Sequence, residues 1–203
     1  KTGSGTLTFN GTTPQTFTGG LIVNAGTLTE KFANLASSPN DNLLDPTNVL
    51  TLGGGTLSLT GKNNVASSQS FASTTMSANR GSTITLARTG TGTMTVGLGA
   101  ITRNPGSTLR FSATPDASTI LATTSSTNIN DILGPWATVG ITTALQYATV
   151  SGGQIIRYPD ASATVATAAD LSNVTSTTTN YSLAKPALGS TLTGPVSANT
   201  LRV

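Results

Sequence analysis

A short phrase recurs along the chain in which glycine is followed by alternating polar and apolar residues. The phrase reads Gly, then Thr or Ser-Thr, then an aliphatic residue, a small polar residue and often a second apolar one. It begins at Gly5, Gly26, Gly55, Gly81, Gly92, Gly106 and Gly189. Alternation with a period of two predicts a short β-strand, and the preceding glycine is typical of a turn. The pattern therefore predicts an all-β chain built from many short strands.

The spacing of the phrases predicts how these strands are arranged. Leu7, Leu28, Leu57, Ile84 and Leu109 hold the same place in five phrases, and the steps between them are 21, 29, 27 and 25 residues. A strand-and-turn repeat of about this length is typical of a solenoid. Met94 falls between two steps and is predicted to lie on a second strand of its own coil. At about 25 residues per coil, the sequence predicts a parallel β-solenoid of roughly eight coils.

An antiparallel β-sandwich is the alternative, because sandwiches are also built from short strands with frequent turns. It gives no reason for one phrase to return at nearly constant spacing, so the solenoid is preferred. Two stretches, about 30–48 and about 113–133, interrupt the pattern and are predicted to be loop excursions, the first with one helical turn. Trp136 follows the second stretch and is predicted to anchor it against the rod. We expect residues 1–203 to form a single solenoid block.

The composition agrees with this architecture. The chain has 41 Thr and 22 Ser among 203 residues, and only 8% of its residues are charged. Thr is β-branched and still polar, so it suits the outward positions of stacked strands. Disordered chains are rich in charge and poor in β-branched residues, which this chain is not.

The residue types that are missing exclude several kinds of chemistry. The chain has no Cys and no His, which excludes disulfides, thiolate nucleophiles, imidazole metal ligands and a Ser-His-Asp triad. The segment with Asp41 and Asp45 only weakly resembles a calcium-binding loop, and a solvated turn fits these residues better. Arg103 and Arg110 could face an anion, although a surface role fits them better. We predict a protein that is not an enzyme, with no catalytic, cofactor-binding or metal-binding residues and no cofactor.

The charges and apolar runs also bear on the partners. The ten Lys and Arg residues give a net charge of +3 and are spread along the chain, so no patch suited to phosphates, and hence to nucleic acid, is predicted. No apolar run approaches about 18 residues, so no membrane insertion by this segment is expected.

Longer phrases carry a family resemblance. The segments GSGTLTFNG, LTLGGGTLSLTG, GLGAITRNPGSTLRF and ILGPWATVG resemble those of autotransporter-associated β-strand repeat proteins, which are giant secreted surface proteins of bacteria. The resemblance implies a right-handed parallel β-helix, an extracellular or cell-surface location and no established catalysis.

The two ends suggest how the block is used. Written tail to head, Asn199–Val203 and Lys1–Leu7 read as one unbroken strand–turn–strand, and neither end is predicted to carry a capping segment. Uncapped solenoid ends favour further pairing. We therefore expect a structural unit of a longer rod or fibre, continued in the same chain or self-associating end to end. Two other hypotheses stay open: an adhesin module that holds glycans or neighbouring cells, and an enzyme built on a β-helix.

Overall fold

The computed structural model of the protein describes residues 1–36, 40–113, 120–140, 145–159, 164–165, 174–182 and 195–202. Short β-strands joined by turns make up this part of the chain, and it contains no helix. No helix that could cross a membrane is therefore found among the described residues. Most strands pair in parallel with the strand of the next coil, which confirms the predicted parallel β-solenoid.

The strands follow one another at short intervals. Those of the solenoid are β1 (Thr6–Phe9), β2 (Leu21–Val23), β3 (Thr27–Lys31), β4 (Asn40–Asp41), β5 (Val49–Leu52), β6 (Thr56–Thr60), β7 (Ser67–Ser70), β8 (Ser73–Met76), β9 (Gly81–Ala87), β10 (Met94–Gly97), β11 (Ala100–Arg103), β12 (Thr108–Ala113), β13 (Ile120–Thr123) and β14 (Ala137–Val139). They are followed by β15 (Gln146–Ser151) and β16 (Gln154–Arg157), and then by β17 (Thr164–Val165), β18 (Thr175–Ser182) and β19 (Ser197–Arg202).

The solenoid has three parallel faces, and a complete coil gives one strand to each. The first face runs β1-β3-β6-β9-β12-β14, the second β4-β7-β10-β13 and the third β2-β5-β8-β11. β10, which begins at Met94, is thus a second strand of the coil that begins with β9, as predicted from the sequence. Strands β17, β18 and β19 form a separate parallel sheet.

Apolar side chains from successive coils stack inside the solenoid. Leu28, Leu57 and Ile84 are paired in consecutive strands of the first face and are fully buried. Leu52 and Met76 form a similar pair on the third face. Full burial of one such side chain stabilises the fold by about 1.5–3 kcal/mol. The recurring aliphatic position of the phrase is therefore the core position.

The pairing corrects one predicted equivalence. Ile84 pairs with Phe111, not with Leu109, and Leu109 pairs with Ser82. The step after Ile84 is therefore 27 residues instead of 25. The cause lies in the turns, where Asn79 (φ 56°) and Gly106 (φ 73°) both have left-handed backbones and the Asn79 amide donates to the Pro105 carbonyl at 2.9 Å. The left-handed residues are stacked, so the turn sets the register and the phrase glycine Gly81 does not.

The number of coils is also corrected. The described residues form a solenoid of about four turns, so the prediction of roughly eight coils is wrong. Each full coil uses up to three strands and 27 or 29 residues, as the pairings of Leu28, Leu57, Ile84 and Phe111 show. After β14 the described residues form an antiparallel hairpin and a separate sheet, and neither continues the parallel stacking of the three faces.

The hairpin of β15 and β16 covers one end of the solenoid. β15 pairs antiparallel with β14, and β16 pairs antiparallel with β13. The hairpin therefore joins the first and second faces into one sheet of twelve strands. The hairpin thus caps the first two faces after β13 and β14, whereas β19, which holds the predicted end segment, is an edge strand of the separate sheet.

The opposite end is open within the described residues. β1 pairs only with β3, and Leu7, the core residue of its coil, is 46% exposed. Phe9 is half-buried, and its ring lies 6.2 Å from that of the exposed Phe17. An apolar interior is therefore presented to solvent at this end.

The two predicted excursions can be located in part. The stretch 30–48 includes the end of β3 and all of β4, and its Phe32 and Leu35 are fully buried. The stretch 113–133 includes β13. The described part of the chain does not include residues 37–39 and 114–119 of these two stretches. It also does not include residues 189–193, which hold the last of the recurring phrases.

Candidate functional site

The acidic residues weighed for calcium binding are engaged in local contacts. Asp41, on β4, accepts a hydrogen bond of 2.5 Å from the Ser68 hydroxyl. Asp45 accepts from the Thr47 hydroxyl at 2.6 Å and from the Thr47 amide at 2.9 Å, and these bonds lower the pKa of its carboxyl. This is the geometry of an Asx turn. Among the described residues, no group of three or more acidic side chains could hold a metal ion.

The two arginines considered for an anion do not converge. Arg103 ends β11 on the third face, and its Nε donates to the Ser107 carbonyl at 3.2 Å. Arg110 lies on β12 of the first face, in register with Thr83 and Thr138. The structure therefore does not bring the two guanidinium groups to one site.

Trp136 lies where an anchor was predicted. Its half-buried ring packs against the core, next to the turn that precedes β14. A Cβ atom at Gly134 would come within 2.1 Å of the Trp136 Nε1 atom, so only glycine leaves room for the ring. The contact supports the packing role of this tryptophan.

A groove lies at the capped end, between the hairpin and the loop that precedes β14. It has a volume of about 380 Å³, and its lining includes Asn128, Asp131, Thr149, Ser151 and Tyr158. The side chains of Asp131 and Ser151 are exposed and make no hydrogen bond to another described residue. A groove of this size with exposed polar groups is a candidate site for a small polar ligand.

The groove is held open by a network around Asn128. Its Nδ2 donates to the Thr149 hydroxyl and to the Val150 carbonyl, both at 3.0 Å, and its Oδ1 accepts from the Val150 amide at 2.8 Å. The Thr149 hydroxyl in turn donates to the Asp131 carbonyl at 2.7 Å. This network fixes the loop, including the backbone of Asp131, against the hairpin.

The separate three-stranded sheet contacts the same loop. The Asn180 side chain donates to the Asn130 carbonyl at 2.7 Å, and the Asn130 side chain donates to Asn199 Oδ1 at 3.2 Å. Asn130 and Asp131 both have left-handed backbones, with φ of 49° and 66°. Asn and Asp tolerate this conformation better than most residues. The groove was not predicted from the sequence, because residues distant in the chain assemble it. The adjacent pair Asn130-Asp131 was the one local signal of a special turn there.

Substituting Asn128 tests this network. We expect Asn128→Ala to lower the free energy of unfolding by about 2 kcal/mol, because three hydrogen bonds are lost and the Val150 amide loses an acceptor. Urea unfolding followed by circular dichroism measures the change. Asn63→Ala is the matched control, since Asn63 is exposed, and it should change the free energy by less than about 0.5 kcal/mol. Equal effects would contradict the assigned role.

One buried acidic residue, Glu30, was not predicted to belong to any site. Glu30 lies on β3 between Phe9 and Leu59 of the neighbouring coils. It is fully buried, and neither carboxylate oxygen has a hydrogen-bond partner among the described residues. Desolvation raises its pKa to about 8. The sequence indicates that the Glu30 side chain points inward, because Glu30 is two residues after the inward-facing Leu28.

Two buried amide side chains on neighbouring coils are hydrogen-bonded, unlike Glu30. Gln69 is fully buried, and its Oε1 accepts from the Leu44 amide at 2.9 Å while its Nε2 donates to the Leu44 carbonyl at 3.0 Å. Asn48 similarly connects the first two coils, accepting from the Gly20 amide at 3.0 Å and donating to the Phe17 carbonyl at 2.9 Å. Buried amides thus bind turns to the coils, whereas Glu30 binds nothing described.

Comparison with known proteins supports the family resemblance. Over 139 residues, the chain is 37% identical to the "Adhesin BmaC autotransporter" of Brucella suis biovar 1 (strain 1330). The match covers 68% of this chain and 4% of the relative, so the chain spans only a small part of the relative's length. No family model matches the chain, and no solved structure matches it. The similarity and the β-solenoid together confirm the resemblance to autotransporter-associated repeat proteins.

Proposed function

We propose that this chain is a non-enzymatic segment of an extracellular, cell-surface bacterial β-solenoid, and that its function is to hold shape and spacing. The observation that carries the proposal is the continuous stacking of the first face, where strands from β1 to β14 pair in parallel. The similarity to an autotransporter adhesin supports the surface location. A regular backbone ladder with few charged side chains suits a structural role outside the cell.

The open end is the place where the rod would be extended. Leu7 and Phe17 are 46% and 38% exposed there, although Leu7 occupies a core position. A strand of another coil, from the same chain or from a second copy, would cover both side chains and pair with the free edge of β1. At the hairpin end the first two faces offer no such edge, whereas β11 of the third face has no partner beyond it among the described residues.

Electron microscopy, sedimentation and mass measurement test the proposal. Filaments from native material with a chain far heavier than 20.3 kDa would indicate a covalent rod. Association of the isolated chain that is abolished by Leu7→Lys would indicate assembly through the open end. Ile129→Lys is the matched control, because Ile129 is also exposed but lies near the capped end. Discrete monomeric particles from native material would contradict the rod.

An adhesive role is the second candidate, favoured by the groove at the capped end. Its exposed Asp131 carboxylate is the kind of group that accepts hydrogen bonds from sugar hydroxyls, and the relative is itself called an adhesin. Glycan-array binding that is lost in Asp131→Ala, and kept in Asp45→Ala, would support this role. Absence of binding to any glycan would contradict it and leave the structural proposal intact.

A further inference from the structure

The outward side of the first face carries two parallel columns of hydroxyl side chains. Strands β1, β3, β6 and β9 place Thr-X-Thr or Thr-X-Ser segments in direct register. We call these eight side chains the hydroxyl face: Thr6, Thr27, Thr56 and Thr83 in one column, and Thr8, Thr29, Ser58 and Thr85 in the other. The register is unshifted across all four coils, so the columns are continuous.

The spacing within the hydroxyl face is set by the backbone. Neighbouring strands lie about 4.8 Å apart, and alternate residues along a strand lie about 6.6 Å apart. Threonine has few accessible χ1 rotamers because it is β-branched, so seven of the eight hydroxyls and their methyl groups are held in restricted orientations. The result is a two-dimensional array of hydroxyls whose repeat does not depend on flexible side chains.

These hydroxyls are not used inside the protein. None of the eight makes a side-chain hydrogen bond to another described residue. Thr29 differs from the other seven, because its side chain is only 9% exposed and so contributes little to the outer surface. Hydroxyls in this state require hydrogen bonds from outside the protein, and a regular array of them presents such bonds at fixed positions.

The chemistry of the hydroxyl face narrows the choice of partner. It contains no carboxylate for a cation, no basic group for a phosphate and no aromatic ring for stacking on a sugar. Charged side chains occur only at its border, where Lys31 follows Thr29 on β3 and Arg110 continues the first column on β12. The remaining partner that matches fixed hydroxyls and methyl groups is water itself, arranged on a lattice.

We propose that the hydroxyl face binds ice. It anchors a layer of water molecules at the repeat of the sheet, and this layer joins the surface of an ice crystal. Exposed methyl groups between the hydroxyls favour ordered water next to them, and the absence of charge makes the binding insensitive to salt. This inference is independent of the rod and adhesin proposals, since it concerns the side of the solenoid and not its ends or groove.

Partitioning into slowly grown ice tests the proposal on the whole chain. We expect the protein to be enriched in the ice fraction and to inhibit ice recrystallisation, whereas a globular protein that does not bind ice is excluded. Thr56→Lys, at the centre of the hydroxyl face, should lose both effects. Thr75→Lys is the matched control, because Thr75 occupies the same kind of outward position on β8, between Thr51 and Thr102 of the third face. It should keep both effects.

A milder pair of substitutions protects the test against misfolding. Thr56→Val together with Thr83→Val keeps the β-branched shape and removes two hydroxyls, so it should weaken partitioning while the circular dichroism spectrum stays unchanged. Exclusion of the unmodified protein from ice would overturn the proposal. Equal losses in Thr56→Lys and Thr75→Lys, or co-sedimentation with crystalline polysaccharide without affinity for ice, would overturn it as well.

Discussion

Replacing Glu30 by leucine is expected to raise the free energy of unfolding at pH 7 by about 3 kcal/mol or more. The carboxyl has a pKa of about 8 in the folded protein and an ordinary value of 4.5, so keeping it protonated at pH 7 costs about 3 kcal/mol relative to the unfolded chain. Leucine removes this cost and adds apolar contact between Phe9 and Leu59, its neighbours in register. Chemical denaturation at pH 7 measures the gain.

The same carboxyl predicts how stability depends on pH. Between the ordinary pKa of 4.5 and the folded pKa of about 8, the folded protein holds a proton that the unfolded chain releases. Stability should therefore fall as the pH rises through this window and level off above it. Glu30→Gln should remove this part of the slope, whereas Asp131→Asn, which removes an exposed carboxylate, should keep it. Parallel slopes for the original protein and Glu30→Gln would show that Glu30 is solvated or paired.

Replacing Gly99 by alanine is expected to lower the free energy of unfolding by about 3–5 kcal/mol. Gly99 has a φ of 58°, and a Cβ there would lie 2.3 Å from the Ala72 carbonyl oxygen in the preceding coil. Because that oxygen belongs to the backbone, the turn between β10 and β11 would have to move away from the turn before β8. Thermal or urea unfolding of the variant measures the loss.

Gly152 provides a control with nearly the same backbone conformation. Its φ is 56°, and a Cβ added there meets nothing within 4 Å. Gly152→Ala should therefore lower the free energy of unfolding only by the cost of a left-handed alanine, about 1–2 kcal/mol. The difference between the two variants measures the close approach of the stacked turns. Similar losses for both would show that the turns tolerate a wider separation than the structure has.

The sequence predicted the solenoid because alternation and spacing are local properties of the chain. The Gly-Thr-Leu phrases identified core residues such as Leu28 and Leu57 without knowledge of the fold. The register at Leu109 was wrong because turn geometry determined it: Asn79 takes the left-handed position there, although the phrase suggested Gly81. Turn conformations of this kind are not visible in a hydrophobic pattern.

Features formed by distant residues were beyond the reach of the pattern. The hairpin cap has the same alternating sequence as the coils, and the local signal that distinguishes it, the two-residue turn Gly152-Gly153 with positive φ at both glycines, was not used. The groove combines Asn128 and Asp131 with Thr149 and Tyr158, which come together only because the hairpin folds back. The burial of Glu30 likewise follows from the coils on either side, where it pairs with Phe9 and Leu59.

The difference between the two ends gives the solenoid a direction in which it comes apart. Each coil is held mainly by its neighbours, so opening starts where partners are fewest. Among the described residues, β1 at the Leu7 end has a single partner, whereas the hairpin gives β13 and β14 partners on both sides. Amide hydrogen exchange should therefore be fastest at β1 and slow progressively towards β12. Under tension, coils would peel from the Leu7 end one at a time, each leaving a new edge like the one before it, while the hairpin resists as a single unit.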